Sequence, residues 1–378
     1  MRVMHVIEAM HQGGAESLVV EHARLAAPGV ETFVCALNRG GPALEAARAA
    51  GAGTEVLGSA GLARVFALAR RMREARIEVV NGHNPTGGLY GALAARLAGV
   101  RTVLRTEHSF HFAGRHSRLY PALERVSTAL TGRVICVCEA VRASHTPRLG
   151  GDPGRFVVIL NGVAGAAAVR PAGETRRALG LADDIPLLLT VGSLTKQKAQ
   201  HDLVEAMALG PLAGAHLWIA GEGPLRADLE RRRESLGLGA RVTLLGARGD
   251  VGDLLEACDV FVLPSVREGL SVTLLEAMRA SRPAVATRVG GNAEAVLDGV
   301  TGAVVPAGAP AALAAATGAL LGDLERRTVF GRAGRMRWAE LFSAERMVRE
   351  TETLYLALLS HRAKHAQADG RVRRGNAA

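Results

Sequence analysis

Aromatic residues make up only 3% of this 378-residue chain, so base-stacking platforms are scarce, and the mere three lysines beside many arginines point to coding bias in arginine use. Nucleic acid is therefore not an expected partner. Cysteine is sparse too. Cys35, Cys136, Cys138 and Cys258 lie in apolar stretches, too few for a disulfide framework, and Cys136-Val137-Cys138 lacks the two-residue spacer of a zinc knuckle. All four read as buried strand residues. The longest uncharged run, Gly299 to Gly322, is broken by Pro306, Pro310 and glycines and is filled with alanine rather than leucine, so it fails as a membrane span. Met1 to Ile7 enter a strand-like run directly, without the succession of a signal peptide, which makes the cytoplasm the expected location. The spaced-glycine dinucleotide fingerprint, the Walker A lysine pattern and an Asp-x-Asp element are all missing. Dehydrogenase and P-loop NTPase chemistry lose their main support.

What is present is a globular composition, 48% hydrophobic and 22% charged, at a length that suits two domains. The formal charge is +10, and residues 1–150 hold 18 Lys+Arg against 11 Asp+Glu, a surplus of +7. Arg64, Arg70, Arg71, Arg73 and Arg76 crowd one predicted helix. That crowding reads either as a solvated face or as a peripheral contact with anionic lipid.

Short Val/Ile-rich runs alternate with helical patterns almost throughout, the signature of βαβ units around buried parallel sheets. The spacing predicts strands over 2–9, 31–37, 54–58, 77–82, 101–107, 133–138 and 156–160, then over 186–192, 215–220, 241–246, 260–264, 283–287 and 302–305. Each half can form its own doubly wound sheet. The small-residue run Asn161 to Ala168 reads as a hinge. The expected organisation is a domain over 1–168, a second over 169–343, a helix over 344–363 packing back on the first, and a frayed basic tail over 364–378. Facing α/β domains would enclose the site in a cleft.

Three segments carry chemistry. Gly13-Gly14, after the first strand, lets backbone N–H groups approach an anion at a helix start, although a plain tight turn explains it equally. Ser193-Leu194-Thr195-Lys196-Gln197-Lys198 follows an apolar strand and precedes a helix, and its two lysines suit a diphosphate. Pro264 to Met278 begins after the buried strand Val260 to Leu263 and sets two carboxylates, Glu268 and Glu276, eight residues apart across a helix start. A nucleotide sugar has parts to match: sugar hydroxyls, diphosphate and ribose hydroxyls.

The segments Gly13-Gly14-Ala15-Glu16, Thr106-Glu107-His108, Leu160-Asn161-Gly162-Val163, Gly221-Glu222-Gly223-Pro224, Leu244-Leu245-Gly246, Glu268 to Glu276, Val289-Gly290-Gly291 and Asp298-Gly299-Val300-Thr301-Gly302, in that order, resemble the retaining glycosyltransferases of family 4. The resemblance implies the GT-B fold, two Rossmann-like parallel-sheet domains across a cleft with C-terminal helices, and transfer from a nucleotide-diphosphate sugar to a glycan, lipid-linked or small-molecule acceptor. It places Glu276 on the ribose and Glu268 on the donor sugar, with backbone contacts from Gly269, Leu270 and Ser271. It puts Lys198 and Ser193 with Gly13 and Gly14 at the diphosphate, and His108 and His83 on the acceptor side. Glu268, His108 and Lys198 are the expected catalytic residues. No cofactor or metal is expected, and a metal held by His108, His111 and His116 lacks a cysteine or aspartate to complete it. This sequence departs from the family where Ser193 replaces a common arginine, Ala199 a glycine and Ala164 an aspartate. Two rival readings are a non-catalytic nucleotide-sugar or membrane-surface binding protein and a sugar-nucleotide epimerase of the same architecture.

Overall fold

The structure is a computed structural model. It describes residues 1–11, 13–58, 60–110, 120–149, 152–164 and 168–375, the side chains of 120–123 and 361–375 excepted.

The chain divides into two compact units, Met1–Asn161 with Ala344–Ala378, and Gly162–Ser343. In the first unit seven parallel strands are β1 (Arg2–Ala9), β2 (Glu31–Arg39), β3 (Gly53–Val56), β4 (Val79–His83), β5 (Thr102–Glu107), β6 (Arg133–Cys136) and β7 (Phe156–Val158). Their spatial order is β3-β2-β1-β4-β5-β6-β7. The second unit has six: β8 (Leu187–Val191), β9 (His216–Ala220), β10 (Val242–Gly246), β11 (Val260–Leu263), β12 (Ala284–Thr287) and β13 (Gly302–Val305), ordered β10-β9-β8-β11-β12-β13. Each run predicted from its apolar pattern is a strand. The central ones are buried along their whole length because helices cover both faces; β11 and β12 are accordingly almost wholly apolar, while β5 also buries Arg105 and Glu107 as an ion pair at 2.6 Å.

Both sheets change direction once, between β1 and β4 and between β8 and β11. At such a switch point the loops leaving the two neighbouring strands diverge and open a crevice at their carboxyl ends. In the first unit, Val65, Leu68 and Met72 of the helix Gly61–Glu74 pack on one sheet face with Ala92 and Ala95. Val19, Ala23, Leu44 and Ala47, from two further helices, pack on the other. In the second, Leu203, Val204, Leu229, Leu313 and Phe330 close over β8, β9 and β11.

Three boundaries differ from expectation. The border between units lies at Asn161/Gly162, ahead of residue 168, because Val163 donates to Phe342 O (2.9 Å) and pairs with Ser343. The final helix runs Ala344–Gly375, through the stretch expected to fray. It belongs to the first unit, where Tyr355 OH accepts from Asn81 Nδ2 (2.8 Å) and Glu352 Oε1 from the Ala27 N–H (3.2 Å). All four cysteines are buried and free, but only Cys35 and Cys136 lie in strands; Cys258 ends the helix Val251–Ala257 and Cys138 follows β6. Arg76 falls just past the arginine-rich helix, in a left-handed turn.

Candidate active site

The second unit brings its two key loops together at the switch point. β8 ends at Val191, and the loop after it carries Ser193, Lys196 and Lys198 into the helix Gln200–Ala206. β11 ends at Leu263, and the loop after it carries Glu268 into the helix Val272–Arg279. Because β8 and β11 are hydrogen-bonded neighbours, the loops are neighbours too. Lys198 Nζ donates to Glu268 Oε1 at 2.6 Å, and Ser265 Oγ donates to the same oxygen at 2.6 Å. Glu268 is buried and Lys198 half-buried. A carboxylate so far from water needs such donors.

The glycine pair predicted as a family element presses on this carboxylate's backbone. Gly290 has φ +51°, and a Cβ there would lie 1.9 Å from Glu268 O. Gly291 N donates to Gly269 O at 2.6 Å. Ser271 is the residue before the helix start, Leu270 is buried beside it, and Glu276 stands half-buried on the helix. First-turn N–H groups there carry the positive end of the helix dipole. Ser193 is exposed, its carbonyl held by Gln200 Nε2 (3.0 Å), and Lys196 is exposed. Ala199 takes φ +49°, ψ +37°, a left-handed conformation that costs a non-glycine residue roughly 1 kcal/mol. This is the position where the family commonly has glycine, so here the departure has a backbone cost.

In the first unit, exposed Gly13 caps the helix Gly14–Arg24 after β1, so Gly13 and Gly14 stand at that unit's switch point. Gly13 is extended, with φ 172°, and needs no glycine-specific conformation. Beside it, β4 ends in His83 and β5 leads to His108. His83 Nδ1 lies 2.8 Å from His108 Nε2. Asn84, in a left-handed conformation, accepts from the His108 N–H at 3.1 Å. Beneath them Thr106 Oγ1 donates to Asn81 Oδ1 (2.9 Å). Burial, with the neighbouring histidines, pushes the imidazole of His83 well below its ordinary range. Among the described residues no group of three His, Cys, Asp or Glu could hold a metal; His111 and His116 lie outside those residues.

Two family models match, one described as "Glycosyltransferase Family 4" over residues 12–164 and one as "Glycosyl transferases group 1" over 185–323. EpsD of Bacillus subtilis, named as a glycosyltransferase, is 32% identical over 295 residues, covering 75% of this chain and 77% of that protein. This chain belongs to glycosyltransferase family 4. It is a glycosyltransferase. A second relative, the UDP-Gal:alpha-D-GlcNAc-diphosphoundecaprenol alpha-1,3-galactosyltransferase of Escherichia coli, is 31% identical over 60% of this chain and 62% of that one. Among solved structures, Anabaena HepE in complex with UDP-glucose shares the fold with a TM-score of 0.82 at 21% identity, over 94% of this chain and 99% of that chain.

Several residues of this family-4 enzyme escaped the sequence reading. Ser265 and Gln200 act through single hydrogen bonds that no spacing announces. Asn84 had a signal, since Asn before Pro at a strand end favours a turn. His5 had none, because its partners are remote in sequence.

Proposed function

We propose that the protein is a retaining, metal-independent transferase that moves a sugar from a nucleotide-diphosphate sugar to a glycan, lipid-linked or small-molecule acceptor in the synthesis of a cell-surface polysaccharide or glycoconjugate, from the cytoplasmic side. The observation that carries this reading is the Lys198–Glu268 pair at the β8/β11 switch point, beside the N-terminus of the helix Val272–Arg279. Supporting it, HepE was crystallised with UDP-glucose, and the name of the Escherichia coli relative records a UDP-sugar donor and a lipid-diphosphate acceptor.

In this reading the second unit holds the donor. Breaking the bond between the anomeric carbon and a phosphate oxygen leaves charge on the diphosphate. Lys198 and the helix-start N–H groups oppose that charge from positions fixed beforehand. Glu268 holds the sugar, where Ser265 keeps its carboxylate in one orientation, and Glu276 holds the ribose. Retention then follows either from attack on the face the diphosphate leaves, with a phosphate oxygen taking the acceptor proton, or from double displacement through Glu268. In the first unit, Gly13 and Gly14 are read as anion contacts at that unit's own switch point, and His83 and His108 as acceptor-side residues.

The test is a thermal-shift screen of UDP, GDP, ADP and their glucose or mannose conjugates. A true donor at 100 times its Kd adds about 2.7 kcal/mol of stability, a shift of several degrees. A chain that none of these ligands stabilises contradicts the proposal. Donor consumption only with acceptor present separates transfer from epimerisation and from binding without turnover.

A peripheral contact with anionic lipid is the second part of the reading. On the helix Gly61–Glu74, Leu62 is 75% and Phe66 63% exposed, one turn apart, and Arg70 and Arg73 continue the same stripe. Exposed large apolar groups flanked by guanidinium groups suit the headgroup boundary of an acidic bilayer.

A further inference from the structure

His108 does not stand alone with His83. Behind His83, on the neighbouring strand β1, His5 Nδ1 lies 2.9 Å from His83 Nε2. The rings stack, with centroids 5.1 Å apart for His83–His108, 5.2 Å for His5–His83 and 5.0 Å for His5–His22. His5, His83 and His22 are buried, and a cavity of about 20 Å³, room for a water molecule, opens between His22, His83 and His108 with Thr106 and Thr351 on its wall.

A neutral imidazole has one N–H and one lone pair. His83 uses both ring nitrogens in hydrogen bonds to other imidazoles, so it must donate through one and accept through the other. With all three rings neutral, two arrangements satisfy this. If His83 Nε2–H donates to His5 Nδ1, then His83 Nδ1 accepts from His108 Nε2–H, and the remaining proton of His5 sits on Nε2. If His5 Nδ1–H donates, every proton moves to the Nδ1 position, His108 included. A mixed set leaves one contact with two protons facing each other or with none. Burial, with the adjacent rings, holds His5 and His83 well below the ordinary imidazole range, which keeps them neutral at pH 7.

We propose that His5, His83 and His108 form a tautomer-locked relay in which all three rings carry their proton on the same-named nitrogen, so that His5 is a positioning residue for His108. Its consequence for catalysis rests on the reading of His108 as an acceptor-side residue. The relay couples the proton of the remote ring to whether the His108 nitrogen turned away from His83 offers a proton or a lone pair. Neither His5 nor His22 belongs to the family motif set that pointed to His83 and His108.

The experiment is long-range ¹⁵N–¹H spectroscopy of the full chain uniformly labelled with ¹³C and ¹⁵N, at pH 7.5, with each ring assigned by through-bond correlation to its own backbone signals. One shared tautomer across His5, His83 and His108 is the expected result. Different tautomers among the three, or a cationic His83, overturn the relay from the wild-type spectrum alone, whether or not any variant folds. His5→Phe keeps a stacking ring but removes the Nδ1 contact, and should change the His108 tautomer ratio by roughly tenfold. His5→Asn, whose amide can replace Nδ1 as donor or acceptor, should restore it. A ratio in His5→Phe within twofold of wild type overturns the positioning role. Transfer unaffected by His108→Ala would instead strike at the functional reading and leave the tautomer result standing, so the two failures are distinct.

Discussion

Lys198 Nζ and Glu268 Oε1 meet at 2.6 Å across 70 residues of sequence because β8 and β11 are neighbours in the sheet. Replacing Glu268 by Gln or Lys198 by Ala should slow sugar transfer at least ~100-fold with the fold retained, since each removes a fixed charge from the developing transition state. Lys198→Ala should also destabilise by about 1–3 kcal/mol, as Glu268 keeps Ser265 but loses its cation. Turnover in both variants within a few-fold of wild type contradicts the assigned roles.

Gly290 fixes the backbone of Glu268 rather than its side chain. Gly290→Ala puts a methyl 1.9 Å from Glu268 O at φ +51°, so the loop must move. A loss of more than ~2 kcal/mol in urea unfolding is expected. Gly249→Ala, where a Cβ meets nothing within 4 Å, should stay within ~0.5 kcal/mol and serves as the control.

Acid should weaken the first unit before it reaches the carboxylate range. Burial holds the pKa of His22 down to about 4 and those of His5 and His83 well below the ordinary value, whereas in the unfolded chain they protonate near 6.5. The unfolded state then binds more protons, so stability present above pH 6.5 is lost as pH falls towards 4, at about 1.4 kcal/mol per unit for each histidine. Glu16 and Glu352 partly oppose this, because burial raises their pKa values and favours the folded state as they protonate. Urea midpoints at pH 7.5 and 5.0 measure the net slope. His22→Phe should reduce it, and an unchanged slope would contradict the burial argument.

Leu62 and Phe66 should govern lipid binding without touching chemistry. Co-sedimentation with phosphatidylglycerol vesicles is expected for the wild type, with little binding to phosphatidylcholine. The double change of both residues to Ser should cut binding by at least tenfold while the melting temperature holds, since both side chains already face water. Equal binding by the double variant removes this helix as the contact.

Most of the fold was legible because a strand covered by helices on both faces is mostly apolar. Leu187 to Val191 and Val260 to Leu263 could hardly be anything else. The donor-side residues were legible for a related reason: Lys198 and Glu268 lie in loops that directly follow such strands, where a parallel sheet puts its chemistry. Helix extent was less so. The border at Asn161/Gly162 and the length of the last helix depend on partners elsewhere in the chain, Phe342 and Ser343 for Val163, and Asn81 for Tyr355.

Sequence by itself determined the strands, the two-unit α/β class and the loops that bear charge, because hydrophobic period and glycine placement are local properties of the chain. Only the tertiary structure decided which strands are neighbours, and with that the meeting of Lys198 with Glu268 and the stacking of His5 on His83. Those pairings come from sheet order, which is settled by packing over distances at which no local pattern carries information.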